Sequence, residues 1–236
     1  MFEIISKDLY WGALDDPSVE QSLDRTSRRN ICLKHIQDAW ILSKLSNVVG
    51  SRILEVGGGF GRVLRTLDNN ERWNLDKPAG QGRTASNNRV LMPKEYNVVH
   101  SFLGEFSDDV PSDNFDYVYS ISVMEHIPIS DLKSFFEDHY RILKTGGFGY
   151  HAIDFYLGNS ELENVENRLD AYLQCISSAG LRFLDPPKIA RPLTFRTEFA
   201  TNPDLTMRYW NEIVPKLAGG RARLQSVSLA MALTKD

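Results

Sequence analysis

The chain has little cysteine, little net charge and no long apolar run. Its only two cysteines, Cys32 and Cys175, lie in apolar or helical patterns, so we expect reduced thiols and a cytoplasmic setting. A formal net charge of -4 gives no basic footprint, and we therefore expect no nucleic-acid partner. No segment reaches the roughly 18 apolar residues of a membrane span. The N-terminus also lacks the basic and apolar regions of a signal peptide.

The remaining composition is that of a globular protein, with 42% hydrophobic and 25% charged residues in a chain of 236. This length fits one domain with additions. Apolar segments with strand and helix periodicity alternate through the centre, which predicts β-α-β crossovers and an α/β fold with a mainly parallel sheet. The predicted strands are Arg52–Val56, Arg72–Leu75, Asn97–Phe102, Phe115–Ile121, Phe148–Ile153, Gly180–Leu184 and a half-buried Leu224–Leu233. The predicted helices are Asn30–Asn47, Phe60–Leu67, Asp131–Leu143 and Leu162–Ser178.

Two regions can be separated by pattern. Residues 1–48 are predicted to form an N-terminal helical cap or lid. Residues 49–236 are predicted to form the α/β domain, with additions on the substrate side at about 155–167 and 188–223.

A glycine cluster follows the first of these strands. A dinucleotide-binding turn requires G-x-G-x-x-G/A, in which the third small residue lets the helix approach the strand. Counted from Gly57, that third position is Arg62, which is too large. Instead an acidic residue is followed by glycine at every second position. This set comprises Glu55, Gly57, Gly59 and Gly61, with Gly58 as a further glycine inside the bend.

This alternation resembles the E/D-x-G-x-G-x-G signature of class I S-adenosylmethionine-dependent methyltransferases. The resemblance implies S-adenosylmethionine as cofactor, with bare backbone beneath its methionine and ribose parts. It also implies a Rossmann-like, mainly parallel seven-stranded sheet with an antiparallel edge strand. Helices are expected on both faces, with a helical region at the N-terminus.

Further cofactor positions follow in the family's order, between Val49 and Asp154. Asp76 ends the second strand, where an acidic residue accepts from ribose hydroxyls. The resemblance places Glu105 near the adenine amino group, and Phe106 either on an adenine face or in the core. Ser120 and Ser122 fall at the carboxyl end of the fourth strand and are expected to line the cofactor site.

Transfer to a hydroxyl requires a proton acceptor, for which histidine or a carboxylate is suited. His151 and Asp154 are placed by the pattern near the end of the fifth strand, and His126 follows the fourth. These three are the candidate catalytic residues, and positioning without a base stays an alternative. A metal held by His151, Asp154 and Glu125 is conceivable, but the sequence shows no dense carboxylate cluster, and we expect no metal.

The resemblance implies methyl transfer to a small molecule. The expected acceptor is a hydroxyl of a sugar, a glycan precursor or a secondary metabolite. No Asn/Asp/Ser-Pro-Pro-Tyr-like loop follows the fourth strand, which argues against methylation of nucleic-acid bases. The alternatives are an NAD(P)-dependent oxidoreductase, which Arg62 disfavours, and a methyltransferase-like binding module without turnover. The oligomeric state stays open, with a homodimer as one option.

Overall fold

The structure is a computed structural model that describes residues 1–26, 33–76, 96–157, 162–191, 193 and 225–236. Cys32 and most of the predicted addition at 188–223 lie outside these residues. The strands are β1 (Phe2–Ile4), β2 (Arg52–Val56), β3 (Glu71–Asp76), β4 (Asn97–His100), β5 (Phe115–Ile121), β6 (Leu143–Leu157), β7 (Leu181–Phe183) and β8 (Gln225–Lys235). The helices are α1 (Lys7–Leu14), α2 (Pro17–Arg25), α3 (Leu33–Leu45), α4 (Leu132–Ile142) and α5 (Leu162–Ser178).

The described strands form one sheet of eight, in the order β1-β8-β6-β5-β2-β3-β4, with β7 also paired to β8. Strands β4, β3, β2, β5 and β6 are parallel to one another, and β8 is antiparallel to β6. The predicted fold class is confirmed. The strand count differs from the expected seven because the N-terminal strand β1 joins the sheet.

Strand β8 is an inner strand, although the sequence predicts it to be half-buried at an antiparallel edge. Its second side is shared by two short strands: β1 pairs with Leu229–Met231, and β7 pairs with Leu233–Lys235. Every residue from Val227 to Lys235 is buried. Neighbours on both sides and on both faces explain this burial.

The alternation of side chains along each strand divides the core between the two faces of the sheet. On one face, Leu54 and Leu229 pack with residues of α4 and α5. On the other, Ile53 and Ala230 pack with α1, α2 and α3. Small side chains on this second face leave room for the fully buried Trp40 of α3.

The helix predicted over Phe60–Leu67 is wrong. The chain there forms turns and a short 3-10 helix at Leu64–Thr66. Gly59 and Gly61 have φ of +53° and +59°, in the left-handed region where a right-handed α-helix cannot propagate. The apolar pattern reports burial correctly, since Val63, Leu64 and Leu67 are all buried.

Residues at the N-terminus contribute to the body of the protein. Strand β1 belongs to the sheet, and α3 covers one of its faces. The division into a cap of residues 1–48 and a domain of residues 49–236 remains a prediction. In the described part of the chain, no helix has the length and apolarity needed to cross a membrane.

Candidate functional site

The carboxyl ends of β2, β3, β5 and β6 meet at one edge of the sheet, where α/β folds bind their ligands. Strand β2 leads there into the glycine bend, residues 57–61. The predicted cofactor residues Glu55 of β2 and Asp76 of β3 both lie at this edge, against the bend.

Glu55 lies beneath the bend. It is 2% exposed, and a Cβ atom added to Gly58 would lie 2.5 Å from its carboxyl carbon. Burial raises the pKa of Glu55 to about 8, against the opposing charge of Arg62. One carboxyl oxygen, Oε2, has no hydrogen-bond partner among the residues that the structure describes. Glu55 is therefore largely protonated near neutral pH.

Arg62 ties the bend to helix α3. Its Nε and one terminal nitrogen donate to the two carboxylate oxygens of buried Asp38, at 2.7 and 2.6 Å. This two-point ion pair explains a large residue where a dinucleotide turn has a small one. The sequence shows that Arg62 departs from the dinucleotide-binding pattern. It does not show the partner Asp38, which lies 24 residues away on α3.

The two sides of the bend differ in how closely other atoms approach. A Cβ atom on Gly57 would lie 2.6 Å from Cγ2 of Val123, so the bend lies against the turn that follows β5. A Cβ atom on Gly59 would meet no atom of the described residues within 4 Å. Asp76 lies at this open side and accepts from the Gly59 amide at 2.9 Å. The bend thus offers bare backbone and a carboxylate to a ligand.

The loop after β4 is held by its own side chains. Glu105 accepts from the Ser101 hydroxyl at 2.7 Å and from the Phe102 amide at 3.2 Å. The amides of Gly104 and Phe106 donate to Asp138 of α4, at 2.7 and 3.2 Å. Phe106 is 44% exposed, which excludes the core as its role and leaves the ring available to a ligand.

His151 and Ser120 do not reach the rim, contrary to the prediction that they act there. Both are fully buried, and the Ser120 hydroxyl and His151 Nδ1 lie 2.8 Å apart. His151 Nε2 lies 3.3 Å from Nε2 of His139 on α4. Burial lowers the pKa of His151 well below its ordinary value and that of His139 to about 3. These are neutral interior imidazoles.

The length of β6 explains this error. The strand runs for 15 residues, from Leu143 to Leu157, whereas the pattern predicts only Phe148–Ile153. His151 therefore lies in the middle of the strand, and its partner in the sheet is Ser120. Residues further along, from Asp154, are the ones that extend past β5.

A polar cluster does form at the ends of β5 and β6, and we call Lys34, Gln37, Ser122 and Asp154 the acceptor cluster. The Ser122 hydroxyl lies 2.9 Å from Gln37 Oε1 and 3.0 Å from Asp154 Oδ1. Gln37 also donates to Asp154 and, at 2.9 Å, to the hydroxyl of Ser228. Lys34 lies 3.3 Å from Asp154 Oδ2. Sequence reasoning selected Ser122 and Asp154 but missed the two α3 residues, which only the tertiary fold brings near.

Glu125 lies beside this cluster in the turn after β5. Its side chain is 11% exposed, and within the described part of the chain neither carboxyl oxygen has a hydrogen-bond partner. Burial, and next the charge of Asp154, raises the pKa of Glu125 to about 8. The neighbouring His126, a predicted catalytic residue, has a side chain that is 72% exposed, and its Nε2 lies 3.7 Å from the Glu125 carboxyl.

The sequence alone suggests Glu125 only as a metal ligand. The adjacent Glu125 and His126, which follow the fourth predicted strand, are the sequence signal that could have identified it. Among the residues that the structure describes, no group of three or more His, Cys, Asp or Glu side chains could hold a metal ion.

Comparisons with known proteins place this geometry in a family. A family model described as a methyltransferase domain matches residues 27–186, more than half of the chain. No curated protein sequence matches significantly. Among solved structures, a candidate sarcosine dimethylglycine methyltransferase from Galdieria sulphuraria is similar, with a TM-score of 0.60 and 16% identity over 94% of this chain and 99% of that one.

Two further structures have the same fold. Phosphoethanolamine N-methyltransferase 2 from Haemonchus contortus, in complex with phosphomonomethylethanolamine and S-adenosylhomocysteine, has a TM-score of 0.55 and 17% identity. That match covers 84% of this chain but 52% of the other, so this chain spans about half its length. Geranyl diphosphate C-methyltransferase from Streptomyces coelicolor has a TM-score of 0.54 and 10% identity, covering 85% and 77%.

Proposed function

Because this chain belongs to the methyltransferase domain family, whose model matches residues 27–186, we propose that it methylates a hydroxyl of a small molecule. It is a class I S-adenosylmethionine-dependent methyltransferase, and S-adenosylmethionine is its cofactor. The acceptor and the residues that serve it are the proposal. The observation that carries it is the open glycine bend, with Asp76 on one side and the acceptor cluster nearby.

The residues at the bend fit this cofactor. A Cβ atom on Gly59 would be clear of every described residue, Asp76 offers a carboxylate for ribose hydroxyls, and Phe106 exposes a ring. We propose that the cofactor lies along Glu55–Gly61, with Asp76, Glu105 and Phe106 at the nucleoside. When bound, it supplies an electrophilic methyl group on a cationic sulfonium. The protein must then align an acceptor, exclude water and receive a proton.

The acceptor cluster supports a small polar substrate. Lys34, Gln37, Ser122 and Asp154 provide donors and acceptors at the end of β6. Arg62 occupies the place of the small residue that an NAD(P)-binding turn needs, which argues against an oxidoreductase. The polar groups beside the bend favour turnover over a binding module. A cytoplasmic setting without a nucleic-acid partner, expected from composition, is part of the proposal.

An amine acceptor is the second candidate. Glu125 and Asp154 place two carboxyl groups beside one lysine, an arrangement that suits a cationic substrate. The similar structures from Galdieria and Haemonchus carry the names of amine methyltransferases. Incubation with cofactor carrying an isotope-labelled methyl group and pools of alcohols or amines separates the two, because the product's methyl resonance reports the atom that it joined.

Calorimetry with S-adenosylhomocysteine tests the cofactor site. We expect Asp76→Asn to weaken binding about 10- to 100-fold, since hydrogen bonds to a charged group contribute roughly 1.5–3 kcal/mol. Asp68→Asn is the control, because Asp68 pairs with Arg25 at the surface and its loss should leave affinity unchanged. Equal affinity of Asp76→Asn and the wild type would remove Asp76 from the site. Absence of binding to the wild type would contradict the proposed function.

A further inference from the structure

Glu125 is a buried carboxyl group with unused hydrogen-bonding capacity. About nine-tenths of its side chain is buried, and neither oxygen has a hydrogen-bond partner in the described part of the chain, although His126 Nε2 lies 3.7 Å from Oε1. An unsatisfied buried polar group costs roughly 1–3 kcal/mol. Such groups in folded proteins call for a functional explanation.

The turn that carries Glu125 lies directly against the glycine bend. Val123 fills the space next to Gly57, and Ser122 joins the acceptor cluster through Asp154. Glu125 follows within the same turn. The charges of Asp154 and Lys34 act on its carboxyl, so Glu125 lies near the acceptor cluster, in the turn that contacts the bend where the cofactor is proposed to bind.

Helix α5 holds this turn in place. An Arg168 guanidinium nitrogen donates to the carbonyls of Met124 and Ile127, at 3.2 and 2.9 Å. The Tyr172 hydroxyl donates to the Met124 carbonyl at 3.1 Å. These contacts fix the backbone on both sides of Glu125, as a precise functional group requires.

The charged and titratable groups around Glu125 leave it as the available proton acceptor. Asp154 already accepts from Lys34, Gln37 and Ser122. His126 presents its ring to solvent, and Arg168 is engaged with main-chain carbonyls. Burial and the Asp154 charge raise the pKa of Glu125 to about 8, in the range in which a general base operates near neutral pH.

We propose that Glu125 faces the methyl-transfer position and receives the proton of the acceptor. This inference rests on the proposed function. The acceptor oxygen forms a bond to the methyl carbon, the carbon–sulfur bond breaks, and its electron pair stays on sulfur. The hydroxyl proton passes to the Glu125 carboxylate, so the products are a methyl ether, neutral S-adenosylhomocysteine and a protonated Glu125.

Sinefungin tests the placement of Glu125, because it carries an amine in place of the sulfonium methyl. The readout is the ratio of sinefungin affinity to S-adenosylhomocysteine affinity, measured by calorimetry at about pH 8. We expect Glu125→Gln to lower this ratio about tenfold, through loss of a charge-assisted contact. Glu125→Asp keeps the carboxylate and should therefore retain part of the preference for sinefungin. In the wild type, the ratio should fall as pH is lowered and Glu125 becomes protonated.

Glu137→Gln is the matched control, because Glu137 pairs with Lys133 on the exposed side of α4. The ratio of sinefungin to S-adenosylhomocysteine affinity in this variant should equal that of the wild type. Affinity for S-adenosylhomocysteine serves as the internal standard of folding in each variant. Equal ratios for the wild type and Glu125→Gln would overturn the inference while leaving the function intact. Failure of the wild type to bind S-adenosylhomocysteine would instead overturn the proposed function.

Discussion

Carboxyl groups near the site fall into two kinds. Asp38 and Asp154 accept hydrogen bonds from several donors. Glu55 and Glu125 are buried with carboxyl oxygens that accept no hydrogen bond from the described residues, and their pKa values are raised to about 8. Desolvation is the leading cause in both. The protein thus holds two carboxyl groups with raised pKa values where a cationic cofactor and its acceptor are proposed to bind.

This difference predicts how stability depends on pH. The folded pKa of Glu55 is about 8, above its ordinary value of 4.5, so the folded state binds the proton more tightly than the unfolded state. The stabilising contribution is complete below about pH 4.5 and is lost as pH rises through 8. In urea unfolding without cofactor, the wild type should lose about 2–4 kcal/mol more unfolding free energy between about pH 6 and 9 than Glu55→Gln does.

Glu71→Gln provides the control for this measurement. Glu71 is partly exposed, and its hydrogen bond from Arg52 lowers its pKa. Its contribution therefore changes only in acid and should leave the slope between about pH 6 and 9 unaltered. If Glu55→Gln keeps the slope of the wild type, Glu55 is ionised in the folded protein and the account of its burial is wrong.

At the scale of the element, the glycine bend is the distinctive local structure. A regular helix would place side chains along its surface, whereas left-handed residues keep the backbone bare at Gly59. Arg62 and Asp38 fasten this irregular segment to α3. The apolar residues after the bend are still buried. They hold the segment in the core, while the Gly59 backbone stays clear of the other described residues.

Two glycines allow the bend's role in binding to be separated from its effect on folding. Gly50 and Gly59 have φ of +71° and +53°, and an added Cβ at either would lie more than 4 Å from the other atoms that the structure describes. Alanine at either position should cost about 1–2 kcal/mol of stability, from backbone strain. Only Gly59→Ala should weaken S-adenosylhomocysteine binding, by tenfold or more in calorimetry, because its methyl group enters the proposed cofactor space. Equal affinities for the two variants would place the cofactor elsewhere.

At the scale of the whole molecule, the two ends of the chain are joined in one sheet. Strand β1 pairs with β8, and the Phe2 ring stacks on Phe183 of β7 at 5.5 Å between centroids. The N-terminal amino group lies 2.7 Å from the Asp185 carbonyl oxygen. The N-terminal residues therefore close the sheet beside β7, which lets β8 remain an inner strand.

Phe2 should accordingly contribute to global stability. It is 2% exposed, and its truncation to alanine should cost about 3–5 kcal/mol through lost burial and a cavity. Phe2→Leu preserves most of the apolar volume and should cost under about 1.5 kcal/mol. Urea unfolding measures both. A loss below about 1 kcal/mol for Phe2→Ala would show that β1 is dispensable for the fold.

The sequence by itself determined the fold class, the family and the cofactor. Local signals sufficed because strand and helix periodicity, together with glycines at fixed spacing, are properties of neighbouring residues. Strands β2 and β5 and helix α5 begin and end at the residues predicted. Asp76 also lies next to the bend, as the order of the strands requires.

Only the tertiary structure decided which polar side chains share a surface. Gln37 meets Asp154 across 117 positions of sequence, and no local pattern encodes such an encounter. The true length of β6 placed His151 in the interior, because burial depends on where α4 covers the sheet. The same packing placed the Glu125 carboxyl near Asp154 and Lys34, without a hydrogen-bond partner among the described residues, which spacing along a chain cannot reveal.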